Sequence, residues 1–126
     1  MEKEFVPYEQ ALTLKELGFD EYCLGLYSYA SRNTIDMQHV IHTCKASSKL
    51  IWMRVPTPTF SQAFRWFREK YDIHGLVSYY GKKTWFIEIL DYKGNQIVQI
   101  ENNAFNSHEE AELECLKKLI EIVKVK

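Results

Sequence analysis

His39, His42 and Cys44 lie within six positions of one another. Side chains alternate across an extended strand, so His42 and Cys44 would share a face there. An imidazole and a thiolate so placed could bridge a metal. A zinc site needs four ligands, or three and a water, and neither a C-x-x-C pair nor a second ligand pair accompanies this one. The competing reading is a half-exposed polar strand. Cys44 and His74 could also form a nucleophile–base pair if the fold brought them together. No G-x-S-x-G elbow or glycine-rich phosphate loop supports that chemistry. The five glycines are mostly required for turns and helix stops. Glu88 interrupts an apolar run between Ile87 and Ile89. It would be a functional acid only with a partner in a pocket, and is otherwise a solvent-facing residue of a sheet covered on one side. Cys23 and Cys115 read as small core residues. No catalytic residue, metal or cofactor is assigned on these grounds.

The densest chemistry is of another kind. QAFRWFREKY, residues 62–71, places four aromatics and three cations in ten positions. Phe64, Phe67 and Tyr71 fall on the stripe of an amphipathic helix and read as core. Arg65, Trp66 and Arg68 fall off that stripe, with Glu69 an i,i+4 partner for Arg65. Tyr79, Tyr80, Lys82 and Lys83 occupy a strand end and a hairpin tip, and Trp85 starts the next strand. The candidate binding residues are therefore Arg65, Trp66, Arg68, Tyr80, Lys82, Lys83 and Trp85. Arginine and exposed aromatics are the residue types of protein-interface hot spots. They are equally those of single-stranded nucleic-acid platforms, and residue type alone does not separate the two.

Bulk composition narrows the choice. A chain of 126 residues is expected to form a single α+β domain over 1–126. With 46% hydrophobic and 26% charged residues it has ordinary globular usage. The 14% aromatic content exceeds what a core of this size needs. The net charge of −1, with the signs mixed along the chain, argues against a dedicated nucleic-acid packager. Three widely spaced cysteines make a poor disulfide framework. No apolar run approaches the length of a membrane span, and MEKEFVPYEQ lacks the apolar stretch of a signal peptide. A reducing cytoplasmic setting without membrane partners is the expectation.

Several elements must position these residues. Pro7 is suited to the first position of a helix over 8–17, with Ala11, Leu14 and Leu17 as its stripe and Gly18–Phe19 as its stop. YCLGLYSY (22–29) reads as a strand and ASRNT (30–34) as a turn. Residues 35–43 fit either a strand or a short helix, and KLIWMRV (49–55) fits a strand. PTPT (56–59) reads as a stiff linker that stops it. Thr59 caps a second helix, with Gln62 as capping-box partner. A three-stranded meander follows over 76–80, 84–91 and 96–102. In it Trp85, Ile87 and Ile89 face one side while Phe86, Glu88 and Leu90 face the other. Ser107 and Glu110 open a last helix whose inward residues include Ala111, Cys115, Leu116, Leu119 and Ile120. Its acidic first half and basic end complement the helix dipole. The fold class is α+β, a mainly antiparallel sheet made of the C-terminal meander and N-terminal strands, packed by about three helices.

Three stretches, EFVPYEQALTLKELGFDE, PTFSQAFRWFREKY and EEAELECLKKLIEIV, together resemble a group of small uncharacterised proteins of phages and prophages of Bacteroidetes bacteria. The resemblance covers roughly a third of the chain, at both ends and the centre. It implies a setting, the cytoplasm of a bacterial host and a mobile-element accessory role, and no site residue. From Phe60 onward the order α-β-β-β-α is also similar to that of the double-stranded RNA-binding domain. That domain sets lysines at the start of its final helix against phosphates. Here the matching positions hold His108, Glu109 and Glu110, whose carboxylates would repel them. The leading expectation is a non-enzymatic module that binds a host or phage protein, or itself. A nucleic-acid-binding accessory domain is the alternative, and a small-ligand or nucleotide binder the third.

Overall fold

The computed structural model describes residues 4–19, 21–23, 25–28, 35–37, 44–45, 54–97 and 104–125. The chain divides into two compact units, 1–62 and 63–126.

In the first unit, helix α1 (Tyr8–Glu16) buries Tyr8, Ala11 and Leu14. Pro7 stands one position earlier than expected. It is the N-cap residue, kept extended at ψ 160, and its carbonyl accepts the Ala11 N–H at 2.9 Å. The stop is the one the sequence implies. Gly18 is left-handed at φ 99. Its N–H donates to the Lys15 carbonyl, and the Phe19 N–H donates to that of Leu14. This is the Schellman pattern, closed by the buried side chains of Leu14 and Phe19.

YCLGLYSY is extended at the residues described, 22–23 and 25–28. β1 (Tyr22–Cys23) pairs with β4 (Cys44–Lys45), whereas β2 (Gly25–Ser28) lies between β3 (Ile35–Met37) and β5 (Arg54–Thr57). All these pairings are antiparallel. Residues 35–37 take the strand alternative. The proposed turn over 30–34, the rest of 35–43 (His39 and His42 included) and 49–53 lie outside the described residues. PTPT is not a linker. Pro56 sits inside β5 opposite Leu26, and the Val6 N–H donates to the Pro58 carbonyl at 2.9 Å. Phe5 bridges Thr59, and the fully buried Thr57 hydroxyl donates to the Val6 carbonyl. Proline is tolerated because, among the described residues, β5 pairs on one side only.

Helix α2 (Phe60–Tyr71) starts as expected, the Gln62 N–H donating to the Thr59 hydroxyl at 3.2 Å. The Gln62 amide goes instead to the Glu21 carboxylate, at 3.3 Å. Phe60, Ala63, Phe64 and Phe67 are buried, and so is Trp66. At 3.6 residues per turn these positions span roughly 160° of helix circumference, a wider arc than the expected stripe.

The second unit holds the hairpin β6 (His74–Gly81) and β7 (Thr84–Leu90), with α3 (His108–Val125) packed on it. Ser107 accepts the Glu110 N–H at 3.2 Å, a cap worth about 1 kcal/mol. Ala111, Cys115, Leu116, Leu119, Ile120 and Val123 form the buried side of α3. They meet Ile87 and Ile89, the inward residues of β7, both almost fully buried. Beyond β7 the Asp91 carboxylate accepts the N–H groups of Lys93 and Asn95, each at 2.9 Å, and Gly94 turns at φ 82. Of the expected third strand only Gln96 and Ile97 are among the described residues. Gln96 pairs opposite Leu90, and further on Phe105 pairs opposite Trp85. Residues 98–103 lie outside the described residues. The described sheet of this unit is therefore two-stranded. The α+β class and antiparallel pairing hold in both units.

Candidate functional site

The β6–β7 hairpin places four of the sequence-derived candidates at one end of one sheet. β6 pairs with β7 from His74–Leu90 to Tyr79–Trp85, and the register then slips before Gly81–Thr84. Tyr80 is the extra residue of this bulge. A bulge re-aims a side chain and sharpens the local twist. Tyr80 is 80% exposed, and its ring stands edge-on to Phe86 at 4.9 Å. Tyr79, 57% exposed, sets its ring 4.7 Å from that of Trp85, tilted by 52°, on the opposite face. Trp85 in turn meets the His108 ring at 4.9 Å, and His108 Nδ1 lies 3.3 Å from a Glu112 carboxylate oxygen. The start of α3, with exposed Glu109 and Glu110, therefore stands at the same end of the sheet as the tip.

The tip is a two-residue turn in which Lys82 (φ 53) and Lys83 (φ 58) are both left-handed. This is the backbone of a type I′ turn, which normally selects Asn-Gly because a side chain crowds at positive φ. The Lys83 N–H donates to the Tyr79 hydroxyl at 3.2 Å, tying the turn to the aromatic pair. Lys82→Asn with Lys83→Gly should stabilise the chain by about 1 kcal/mol. A rise in the urea midpoint checks this; an unchanged or lower midpoint counts against a strained tip.

On the outer face, Ser78, Tyr80, Phe86, Glu88 and Gln96 line an open groove of about 460 Å³. Leu76, 43% exposed, continues the face along β6. Glu88 is exposed, as a solvent-facing residue of the sheet, and it lines the groove.

The α2 candidates divide. Arg65 and Arg68 are exposed. Arg68 lies in the last turn, where a cation complements the helix dipole. Trp66 is not an exposed anchor. It is 6% exposed, edge-on to Phe67 at 5.0 Å and to Tyr71 at 5.5 Å, with the Lys70 ammonium 5.0 Å above its ring. It sits one position before Phe67 and three after Ala63, inside the widened buried arc.

Among the described residues no group of three or more His, Cys, Asp or Glu could hold a metal. Cys44 belongs to β4, in the first unit. His74 opens β6 in the second, its Nε2 3.1 Å from the Asp72 carboxylate. Burial pushes the Cys115 thiol up to about 12, against a weaker opposing hydrogen bond with the Leu76 backbone, so it stays protonated and inert at neutral pH.

No protein-family model matches the chain, and no curated protein or solved structure matches it either.

The residues that sequence reasoning passed over are Leu76, Ser78, Phe86 and Gln96. The alternation of β7 was readable. The openness of its outer face was not, because that depends on which elements cover the sheet.

Proposed function

We propose that this chain is a non-enzymatic protein-interaction module. It engages a host or phage protein through the outer face of the β6–β7 hairpin. The observation that carries the reading is Tyr80, placed by a bulge, braced on Phe86 and 80% exposed beside an open groove. An aromatic held rigid yet exposed loses little side-chain entropy on binding, which is the property of a hot-spot anchor. The partner segment brings an apolar side chain for the space between Tyr80 and Phe86, and a lysine or arginine for Glu88. The setting proposed from the three family-like stretches is the cytoplasm of a Bacteroidetes host carrying a phage or prophage. No helix among the described residues is long and apolar enough to cross a membrane.

The nucleic-acid alternative draws on Lys82 and Lys83 beside the Tyr79–Trp85 ring pair. Glu88 within the groove, and Glu109 and Glu110 at the same end of the sheet, oppose phosphate there. Candidate partners captured from host lysate should be purified and their affinities measured by calorimetry. Tyr80→Ala should weaken a true partner by roughly thirtyfold, and Glu88→Lys should weaken it as well. Lys82→Glu with Lys83→Glu should leave it bound. A salt-sensitive mobility shift with RNA or single-stranded DNA, abolished by the lysine double variant and untouched by Glu88→Lys, would instead support the nucleic-acid reading.

A further inference from the structure

The groove on the outer face of the hairpin has a one-sided chemistry. Leu76 stands opposite Glu88 in the register and Ser78 opposite Phe86. Tyr80 meets Phe86 on that same face. No lysine, arginine or histidine lines the groove, and Glu88 is its one charge. Among the described residues no cation pairs with that carboxylate. The Ser78 hydroxyl and the Gln96 amide carbonyl add two further acceptors, both on exposed residues. The aromatic wall is the Tyr80–Phe86 pair, 4.9 Å between ring centres and 72° between ring planes. Rings that touch in this way leave no gap for a cation between them, so a cation would lie over an outward face. Tyr80, 80% exposed, offers one.

We propose that this groove takes an arginine side chain presented by a partner protein, one residue supplying both the apolar contact and the cation. The inference rests on the reading of this face as a protein-docking surface. Phe86 and Glu88 are two residues apart on β7, so roughly 6–7 Å separates them along the strand. An extended arginine covers that span. Its methylenes lie against the two rings while its guanidinium reaches the Glu88 carboxylate, which accepts two parallel N–H bonds. The remaining N–H groups find Ser78 and Gln96. Lysine is the poorer occupant, because its compact ammonium cannot make the bidentate pair and stays hydrated in an open groove. A quaternary ammonium ion has no N–H and leaves every acceptor unused. The groove does not enclose its occupant as small-molecule pockets do, so the rest of the contact has to come from the chain that carries the arginine.

The test is an NMR titration of the isotope-labelled whole chain with capped tripeptides in which arginine, lysine or norleucine stands between two glycines. The arginine peptide should give saturable shifts at Ser78, Tyr80, Phe86, Glu88 and Gln96, with a dissociation constant on the order of millimolar, as one anchoring side chain allows. The lysine and norleucine peptides should bind about fivefold more weakly or less. Glu88→Gln keeps the shape and removes the charge. It should weaken the arginine peptide by about fivefold and leave norleucine unchanged. Shifts confined to other parts of the chain, equal affinity for arginine and norleucine, or an arginine affinity indifferent to Glu88→Gln each overturn the proposal. Free arginine binding more tightly than its peptide also overturns it, by assigning the groove to a small molecule. A purified partner that Tyr80→Ala weakens, yet whose arginines can all become lysine without loss, overturns this inference and keeps the docking reading. Partners indifferent to Tyr80→Ala, beside an arginine peptide that binds, keep the arginine site and remove that reading.

Discussion

Trp66→Ala should cost the folded chain about 3–5 kcal/mol, the range for deleting a buried aromatic. The ring is buried against Phe67 and Tyr71 and lies beneath Lys70. Alanine leaves a cavity there and also removes the cation's contact. The matched control is Arg68→Ala, two positions on and exposed. Surface changes of that kind stay within about 0.5 kcal/mol. Urea unfolding followed by far-UV circular dichroism compares the two without relying on the deleted fluorophore. A Trp66→Ala loss below about 1 kcal/mol would return this residue to the list of surface candidates.

Gly75→Ala should destabilise by about 1–3 kcal/mol, the usual cost of forcing an extra carbon into a packed core. A Cβ at Gly75 would stand 2.8 Å from Cys115 Sγ and 3.0 Å from Leu119 Cδ1. Both neighbours are fully buried on α3, so neither can swing aside. The demand here is close approach of strand to helix, since Gly75 is not among the positive-φ glycines. Cys115→Ala removes the nearer atom. In the Gly75→Ala background it should therefore recover part of the loss, whereas alone it should cost about 1 kcal/mol. The double-mutant cycle reads that coupling directly. Strictly additive losses would show that the clash is relieved elsewhere.

The legible parts of the fold are those fixed by short-range chemistry. Gly18 with Phe19, Thr59 and Ser107 each make the hydrogen bond that their residue types suggest, because caps depend on four or five neighbouring residues. PTPT was opaque because its role is set by the segment around Val6, and proline carries no mark of the strand it will join. The expected third strand is not tested in the same way, because its residues 98–102 lie outside the described residues. At the candidate site, Tyr80, Lys82, Lys83 and Trp85 could be grouped by a hairpin reading. The two left-handed lysines could not, since they lack the Gly or Asn that normally betrays such a turn, whereas Gly81, left-handed at φ 104 beside Tyr80, is a local mark of the bulge. Trp66 falls outside a stripe drawn at ideal spacing because that stripe is narrower than the arc of buried positions on α2.

The tie between Val6 and Thr57 has a temporal side. The two residues are 51 apart in sequence. Closing a loop of that length costs roughly 3–4 kcal/mol in chain entropy before any contact returns it. During synthesis Val6 leaves the ribosome long before its partner exists, so the segment ahead of α1 stays exposed to chaperones and proteases until Thr59 has emerged. The first unit is thus completed by its earliest residues docking late, and a ribosome stalled within β5 would hold a nascent chain whose N-terminal segment is still open to cleavage.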